Sequence, residues 1–418
     1  MTAEPEVLRD PGFQRLWAAN VFRDVGTEVA VFALPVTAAV LLHARPLEMS
    51  LIAVCSRLGY PLIGLPAGVW VDRWDKRTVL IWSDAVFLLA LASIPVAYLG
   101  GALTVPHLLA VTAVTSVSGV LFDVAHSSIL PILLPRRRVA DANARLQTSD
   151  NTARAVAPSA AGALSQTIAA PLLYSFTATC HLISLLLVTR IPTRTLASAK
   201  AAAPRNFRAE ITDGVRTMLR HPLLRLLSLQ AALNNIGAGI LLSLMPIFLL
   251  RTVGIEPWLF GLLSTLGACA GVTASLVCPL LRRRHGEIRM TMVFSALLPL
   301  GVVAAPLAAT FPRIAVPLAA TAEILIGFFV VGRSVATAGL RARVTPTSHM
   351  GRVSAAYGVV TQGATPLGAL LGGVIAGSWS VTAALWVGVL EMAVPVVLLL
   401  RSPLRGLRTL PPDWEDKE

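Results

Sequence analysis

The chain carries 22 Asp and Glu among 418 residues, and several of them stand inside long apolar runs, where a charge needs a reason. Asp24 and Glu28 are i,i+4 and share one face of one run. Asp123 and His126 are i,i+3 in a second, and Gln147, Asn151 and Arg154 form an i,i+4,i+7 stripe in a third. Arg57 lies within a fourth. A carboxylate kept from water can hold a proton near neutral pH, and histidine titrates in the same range. That is the chemistry of proton uptake and release, and of holding a cationic solute. The competing explanation is static ion pairing, Asp123 with Arg154 or Glu28 with Arg57, in which the charges only join helices. Gln230, Asn234 and Asn235 cluster in a further run and Gln362 in another; they offer hydrogen bonds either to a solute or between helices. Arg333 and Glu323 are weaker candidates, and Glu391 reads as peripheral.

Redox, metal and cofactor chemistry finds no support. Cys55, Cys180, Cys269 and Cys278 all fall in apolar runs, and no Cys-x-x-Cys pair exists. No Walker-type phosphate loop occurs either. The expectation is a chain without metal or cofactor, and not an enzyme.

The elements that must position these groups are membrane spans. The composition is 55% hydrophobic and only 14% charged, with mean hydropathy +0.71. Twelve runs are expected to cross, at 16–42, 49–71, 79–99, 106–134, 144–168, 171–189, 223–250, 257–281, 290–310, 314–340, 353–377 and 381–400. At 1.5 Å per residue Asp24 and Glu28 lie roughly 10 and 17 Å into the first span, and Arg154 roughly 15 Å into the fifth. Asp123 and His126 lie roughly 18 and 14 Å from the same side of the fourth. If these spans are neighbours, the charges meet at similar depth.

Positive charge orients the chain. Of 35 Lys and Arg, 28 fall in alternate connecting segments and termini, 3 (Arg45, Arg251, Arg313) fall in the others, and 4 lie within spans. The positive-inside rule then places both termini in the cytoplasm of a multi-pass cell-membrane protein. The net charge of +13 is therefore explained by membrane orientation and not by nucleic acid. No cleaved signal peptide is expected, since no cleavage site precedes the first run.

Between spans two and three, Gly68-Val69-Trp70-Val71-Asp72-Arg73-Trp74-Asp75-Lys76-Arg77-Thr78-Val79-Leu80 packs five charges into six residues. Gly68 is expected to let a neighbouring backbone come close, and Asp72 to close a helix end. This stretch resembles the loop signature of the major facilitator superfamily, Gly-x-x-x-Asp-Arg-x-Gly-Arg-Lys-x-x-Leu. Gly68, Asp72, Arg73, Lys76, Arg77 and Leu80 match, and Asp75 stands in place of the second glycine. Pro158-Ser159-Ala160-Ala161-Gly162 resembles a degenerate form of the superfamily's antiporter motif. Together with Arg9-Asp10-Pro11-Gly12-Phe13, Phe122-Asp123-Val124-Ala125 and Asn143-Ala144-Arg145-Leu146-Gln147, the pattern looks like the bacterial drug, macrolide and siderophore efflux branch.

The two halves repeat. A shift of 211 takes Asp24, Gly26 and Pro35 to Asn235, Gly237 and Pro246, and a shift of 208 takes Gly119 and Pro158 to Gly327 and Pro366. The expected domains are a six-span bundle at 1–190, a cytoplasmic linker at 191–222, a second bundle at 223–401 and a tail at 402–418. Within the linker, Phe207, Ile211, Val215, Met218 and Leu219 share one helical face, with Arg208, Arg216 and Arg220 as its basic residues; this predicts an amphipathic helix on the inner membrane surface.

The fold class expected is an all-α membrane protein of twelve transmembrane helices in two pseudo-symmetric six-helix bundles. The resemblance implies alternating-access, proton-coupled export of a small amphipathic compound. The partners would be that small molecule, protons and the lipid bilayer, with no nucleic acid and the chain a monomer. It also implies a cytoplasmic gate at Gly68, Asp72, Arg73, Lys76 and Arg77. A nutrient importer or uniporter of the same fold is the alternative. A polytopic membrane enzyme fits less well, because the outer loops are too short to carry an acid/base or nucleophile pair.

Overall fold

The computed structural model describes residues 10–191, 207–346, 349–402 and 404–405, and all regular structure among them is helical. In chain order the helices are α1 (Pro11–Val36), α2 (Pro46–Cys55), α3 (Gly59–Arg73), α4 (Lys76–Leu99), α5 (Val105–Leu133), α6 (Arg136–Leu164), α7 (Ala170–Thr189), α8 (Phe207–Arg220), α9 (Pro222–Ile247), α10 (Pro257–His285), α11 (Glu287–Thr310), α12 (Ala315–Val344), α13 (Met350–Ser378) and α14 (Val381–Leu400). Among the described residues ten helices are long and apolar enough to cross a membrane unaided. The other two crossings fail that measure for visible reasons. The second is interrupted between α2 and α3, and α6 carries seven charged side chains. The protein is an all-α membrane protein of twelve crossing helices in two pseudo-symmetric bundles of six.

The repeat is built into the packing. α1 packs on α6 and α7, and α9 packs on α13 and α14; α4 packs on α5 and α7, and α11 on α12 and α14. Pro35 and Pro246 sit near the ends of α1 and α9, and each helix then widens into a π turn, Thr37–Leu41 and Phe248–Val253. Proline withholds an N–H and crowds the preceding turn, so the wider hydrogen-bond register relieves both.

Helix association in lipid gains nothing from hiding apolar surface, because lipid tails are equally apolar; close van der Waals packing has to supply it. Gly26 shows how. A Cβ there would come within 2.9 Å of Cys180 Cβ on α7. At the repeat-related Gly237, a Cβ would stand 2.5 Å from both Glu391 Oε2 and Met392 Cγ on α14.

Two compact units emerge, one of residues 1–44, 55–204 and 257–262, the other of 45–54, 205–256 and 263–418. Their borders differ from a simple division at the linker. The short helix α2 groups with the second unit, where Ser50 lies against Gly373, and the first turn of α10 groups with the first, where Trp258 lies against Gly162. The border near residue 55 coincides with the helix break at 56–58. Just beyond it, the Gly59 N–H donates to Ser116 Oγ at 2.9 Å, and that hydroxyl donates to the Ser56 carbonyl at 3.0 Å.

The linker helix is present as α8, but it is docked on protein. Met218 is buried in an apolar cluster with Leu223, Leu224, Ile288, Leu340 and Val353, and Val215 packs against the same cluster. Arg352 Nη1 donates to Asp213 Oδ2 at 2.6 Å, and the carbonyl of Arg352 faces Gly214 closely enough to exclude a side chain there. α8 therefore covers the first turn of α13 within the second unit, and Leu219 alone of the expected face is well exposed among the described side chains. The side chains of 207–211 and the tail from 406 lie outside the described residues.

Candidate functional site

In the first unit, α1 and α6 bring four ionisable groups together. Arg154 Nε lies 3.0 Å from Asp150 Oδ1 and 3.8 Å from Glu28 Oε1. Asn20 Nδ2 donates to Asp24 Oδ2 at 2.6 Å. The spacing explains the convergence: Asp150 and Arg154 are i,i+4 on α6, and Asn20, Asp24 and Glu28 follow each other by four on α1. The Arg154 side chain is 60% exposed and Glu28 is 14% exposed, so the arginine stands on the open face of the unit and the carboxylate is mostly covered. Gln147 extends the patch by donating to Asp150 Oδ2 at 3.1 Å and to Asn151 Oδ1 at 3.4 Å.

Neither static pair anticipated from the sequence forms. Arg154 takes Asp150 and Glu28, and Asp123 is exposed and faces the Tyr60 hydroxyl. Arg57 lies in the break between α2 and α3, outside any helix, and Glu28 does not reach it within salt-bridge distance. His126 stacks on Phe122 with ring centroids 5.7 Å apart, and its Nε2 is buried without a hydrogen-bond partner.

A second polar centre lies deeper in the same unit, and the sequence reading missed it. Arg23 Nη1 donates to Asp84 Oδ1 at 2.6 Å. Ser184 Oγ donates to Asp84 Oδ2 at 2.7 Å, and His181 Nδ1 stands 3.6 Å from Asp84 Oδ1. The guanidinium lies 3.5 Å from the Phe122 ring centre and 5.1 Å from that of Phe87. Asp84 and His181 are fully buried. The available signal was a lone acid and a lone histidine mid-run in the third and sixth spans.

The second unit holds a counterpart in which an amide takes the place of the carboxylate. Gln230 Nε2 donates to Ser295 Oγ at 3.0 Å, and Arg333 Nη1 donates to Gln230 Oε1 at 3.4 Å. Asn234 donates to the Gln230 carbonyl at 2.9 Å, while Asn235 donates to the Thr361 carbonyl at 3.0 Å and so ties α9 to α13. Gln362 is exposed. Glu391, read as peripheral, lies against Gly237 on α9 with both carboxyl oxygens buried. Among the described residues no group of three or more His, Cys, Asp or Glu could hold a metal ion.

A family profile described as transmembrane secretion effector matches residues 4–413. The chain belongs to that family of major facilitator transporters. It is 26% identical over 391 residues to an uncharacterized MFS-type transporter, YfiS, of Bacillus subtilis (strain 168), covering 89% of this chain and 88% of the relative. Its fold is similar to that of a bacterial homologue of the iron transporter ferroportin in an inward-facing state (TM-score 0.77, 17% identity, 95% of this chain and 99% of that one). It is also similar to that of the nucleoside transporter NupG (TM-score 0.73, 13% identity, 93% and 97%). The protein is thus a transporter and not an enzyme.

In this transporter the superfamily loop has its own local logic. Asp75, in place of glycine, caps α4 by accepting from the Thr78 N–H at 2.8 Å. Arg77 donates to the Val188 and Thr189 carbonyls, neutralising the C-terminal end of α7. Its partners therefore lie within the first unit. Among the described residues nothing lies within 4 Å of a Cβ built at Gly68, so no close approach is made there by any of them. Arg73 is exposed, Lys76 is partly covered, and the Asp72 side chain lies outside the described residues, although its backbone forms the last turn of α3. Beside this loop an apolar groove of about 690 Å³ runs between α4 and α5, lined by Trp74, Trp82, Val86, Val114, Val117 and Leu121 among others.

Proposed function

We propose that this transporter exports a small amphipathic organic compound, cationic at working pH, in exchange for protons entering the cell. The observation that carries this reading is the charge balance on α1 and α6, where Glu28 and Asp150 lie against the guanidinium of Arg154 and Asp24 lies within reach of its charge. A charge at mid-membrane costs about 2.5–3.5 kcal/mol on insertion scales, whereas a polar contact between membrane helices returns only about 0.6 kcal/mol. Helix joining is a poor return for such a patch. An excess of carboxylates that a proton or a cation can each neutralise supports exchange, because the two then compete for one site.

In the proposed cycle Glu28 takes the proton and Asp24, a turn away, passes it on, with Asp123 and His126 as the alternative path on α5. Arg57, Asn151, Gln230, Asn234, Asn235 and Gln362 would line the solute's route. The working arrangement is a monomer in the cell membrane with both termini in the cytoplasm, its six-span halves at 1–190 and 223–401 joined by 191–222. Uptake of a polar nutrient is the second reading, favoured by the hydrogen-bonding set Gln230, Ser295 and Arg333 in the second unit.

A panel of toxic amphipathic compounds on cells expressing the protein, with and without a protonophore, tests this. Export predicts lower accumulation of some compounds, abolished by the protonophore. Accumulation that rises on expression and ignores the protonophore would replace export with uptake.

A further inference from the structure

Arg23 and Asp24 are consecutive on α1, yet their side chains are used in opposite ways. Arg23 is buried in a receptor assembled from three other helices: Asp84 from α4, Ser184 from α7 behind it, and the rings of Phe122 on α5 and Phe87 on α4. Both Asp84 oxygens are occupied, one by Arg23 and one by Ser184. Among the described residues, Asp24 has only the neutral amide of Asn20 as a hydrogen-bond partner. A buried ion pair is weak as a source of stability, since well-packed apolar side chains of similar volume often do as well or better. The placement of this pair therefore calls for another explanation.

We infer that Asp84 is a positioning residue that withholds the Arg23 guanidinium from Asp24 and Asp123, leaving those carboxylates able to take a proton. This rests on the proton-coupled reading above. The charge of Arg23 already acts on both Asp24 and Asp123 from where it is held. The groups facing Asp24 and Asp123 are Asn20 and Glu28 on α1, Tyr60 on α3, Asp150 and Arg154 on α6, and Arg23 itself. His126 on α5 and His181 on α7 also lie within reach of the Arg23 charge, and Arg57 within reach of that of Arg154. Among these, Arg154 is already committed to Asp150 and Glu28. Of the two arginines whose charge reaches Asp24 and Asp123, Arg23 is the one held by a carboxylate outside this group, and its release toward them would hold either one charged. In this scheme His181, stacked on Phe87 with its Nδ1 3.6 Å from the same Asp84 oxygen, is a packing wall of the receptor.

The test reads protonation directly in the full-length protein, purified into lipid nanodiscs, through the infrared carbonyl stretch of protonated carboxyl groups at neutral pH. The wild type should show a band that Asp24→Asn or Asp123→Asn diminishes. Asp84→Asn should remove the same component, Asp84→Glu should keep it, and the double variant Arg23→Gln with Asp84→Asn should restore it. A merely structural clamp predicts the reverse for the double variant, which loses both partners. A band unchanged in Asp84→Asn, or still missing in the double variant, overturns the positioning role alone. A wild type with no component owed to Asp24 or Asp123 overturns the proton-coupled reading and this inference with it. Should Asp84→Asn not fold, Arg23→Lys with Asp84→Asn supplies an unreceived cation instead, and is read against the same double amide: an equal band in both overturns the proposal.

Discussion

Glu28 Oε1 stands 3.8 Å from Arg154 Nε, close enough for attraction but too far for a hydrogen bond, while Asp150 holds the same nitrogen at 3.0 Å. Glu28 is therefore the looser partner and the one freer to change protonation state. In proteoliposomes Glu28→Gln should lose export driven by a pH gradient by at least tenfold while retaining counterflow exchange of whichever compound the panel identifies. Normal uphill export by Glu28→Gln, with loss on Asp123→Asn alone, would move the carrier to α5.

Arg154→Ala should do a different kind of damage. It removes the cation that Glu28 and Asp150 share, and like charges at this range resist joint ionisation. Binding of a cationic compound at pH 8 should become stronger and should fall more steeply between pH 8 and 6, because protons then compete for the same carboxylates. Equilibrium binding by fluorescence anisotropy across that range would check it, and a weakened affinity would contradict it.

Gly26 and Gly68 should respond oppositely to the same substitution. A Cβ at Gly26 meets Cys180 Cβ at 2.9 Å, and at Gly68 it meets nothing within 4 Å among the described residues. Gly26→Ala should cost about 1–3 kcal/mol through overpacking, seen as a clear drop in melting temperature in detergent. Gly68→Ala should melt like the wild type. Equal melting of the two would mean that α1 and α7 are not packed as described.

Asp213 and Arg352 are 2.6 Å apart but 40% and 43% exposed, so the pair itself should be worth no more than about 1 kcal/mol. Asp213→Asn should therefore leave melting almost unchanged. Gly214→Leu should be worse, because Arg352 backbone occupies the space its side chain needs. Limited proteolysis of the linker should accelerate for Gly214→Leu far more than for Asp213→Asn. If Asp213→Asn is cut as fast as Gly214→Leu, the ion pair and not the close packing seats α8.

Orientation is open to a direct check. With Cys55, Cys180, Cys269 and Cys278 replaced, single cysteines at Thr104 and Ser380, which cap the starts of α5 and α14, should react with an impermeant thiol reagent from outside. Cysteines at Pro135 and Gly286 should not. The opposite pattern would reverse the inside-positive assignment.

Much of this was legible in order of residues alone because it depends on local quantities. The length of an apolar run measures whether it can cross, the Lys and Arg count between runs orients it, and the period of 3.6 puts Asp24 with Glu28 on one face. The 211-residue echo of Gly26 and Pro35 in Gly237 and Pro246 revealed the repeat, and the same residues make the tight contacts and π turns that realise it. Depth along a span also follows from counting, which is why Arg154 and Glu28 were expected at one level. Partnership does not follow from depth. Whether Arg154 meets Asp123 or Asp150, and whether Arg23 faces Asp24 or turns inward to Asp84, depends on the rotation and approach of helices whose contacts join residues 61 and 100 positions apart. Those rotations are set by side-chain packing summed over whole helices, by Phe87 and Phe122 closing over one guanidinium and by Gly26 admitting α7, and no short window of sequence contains that sum.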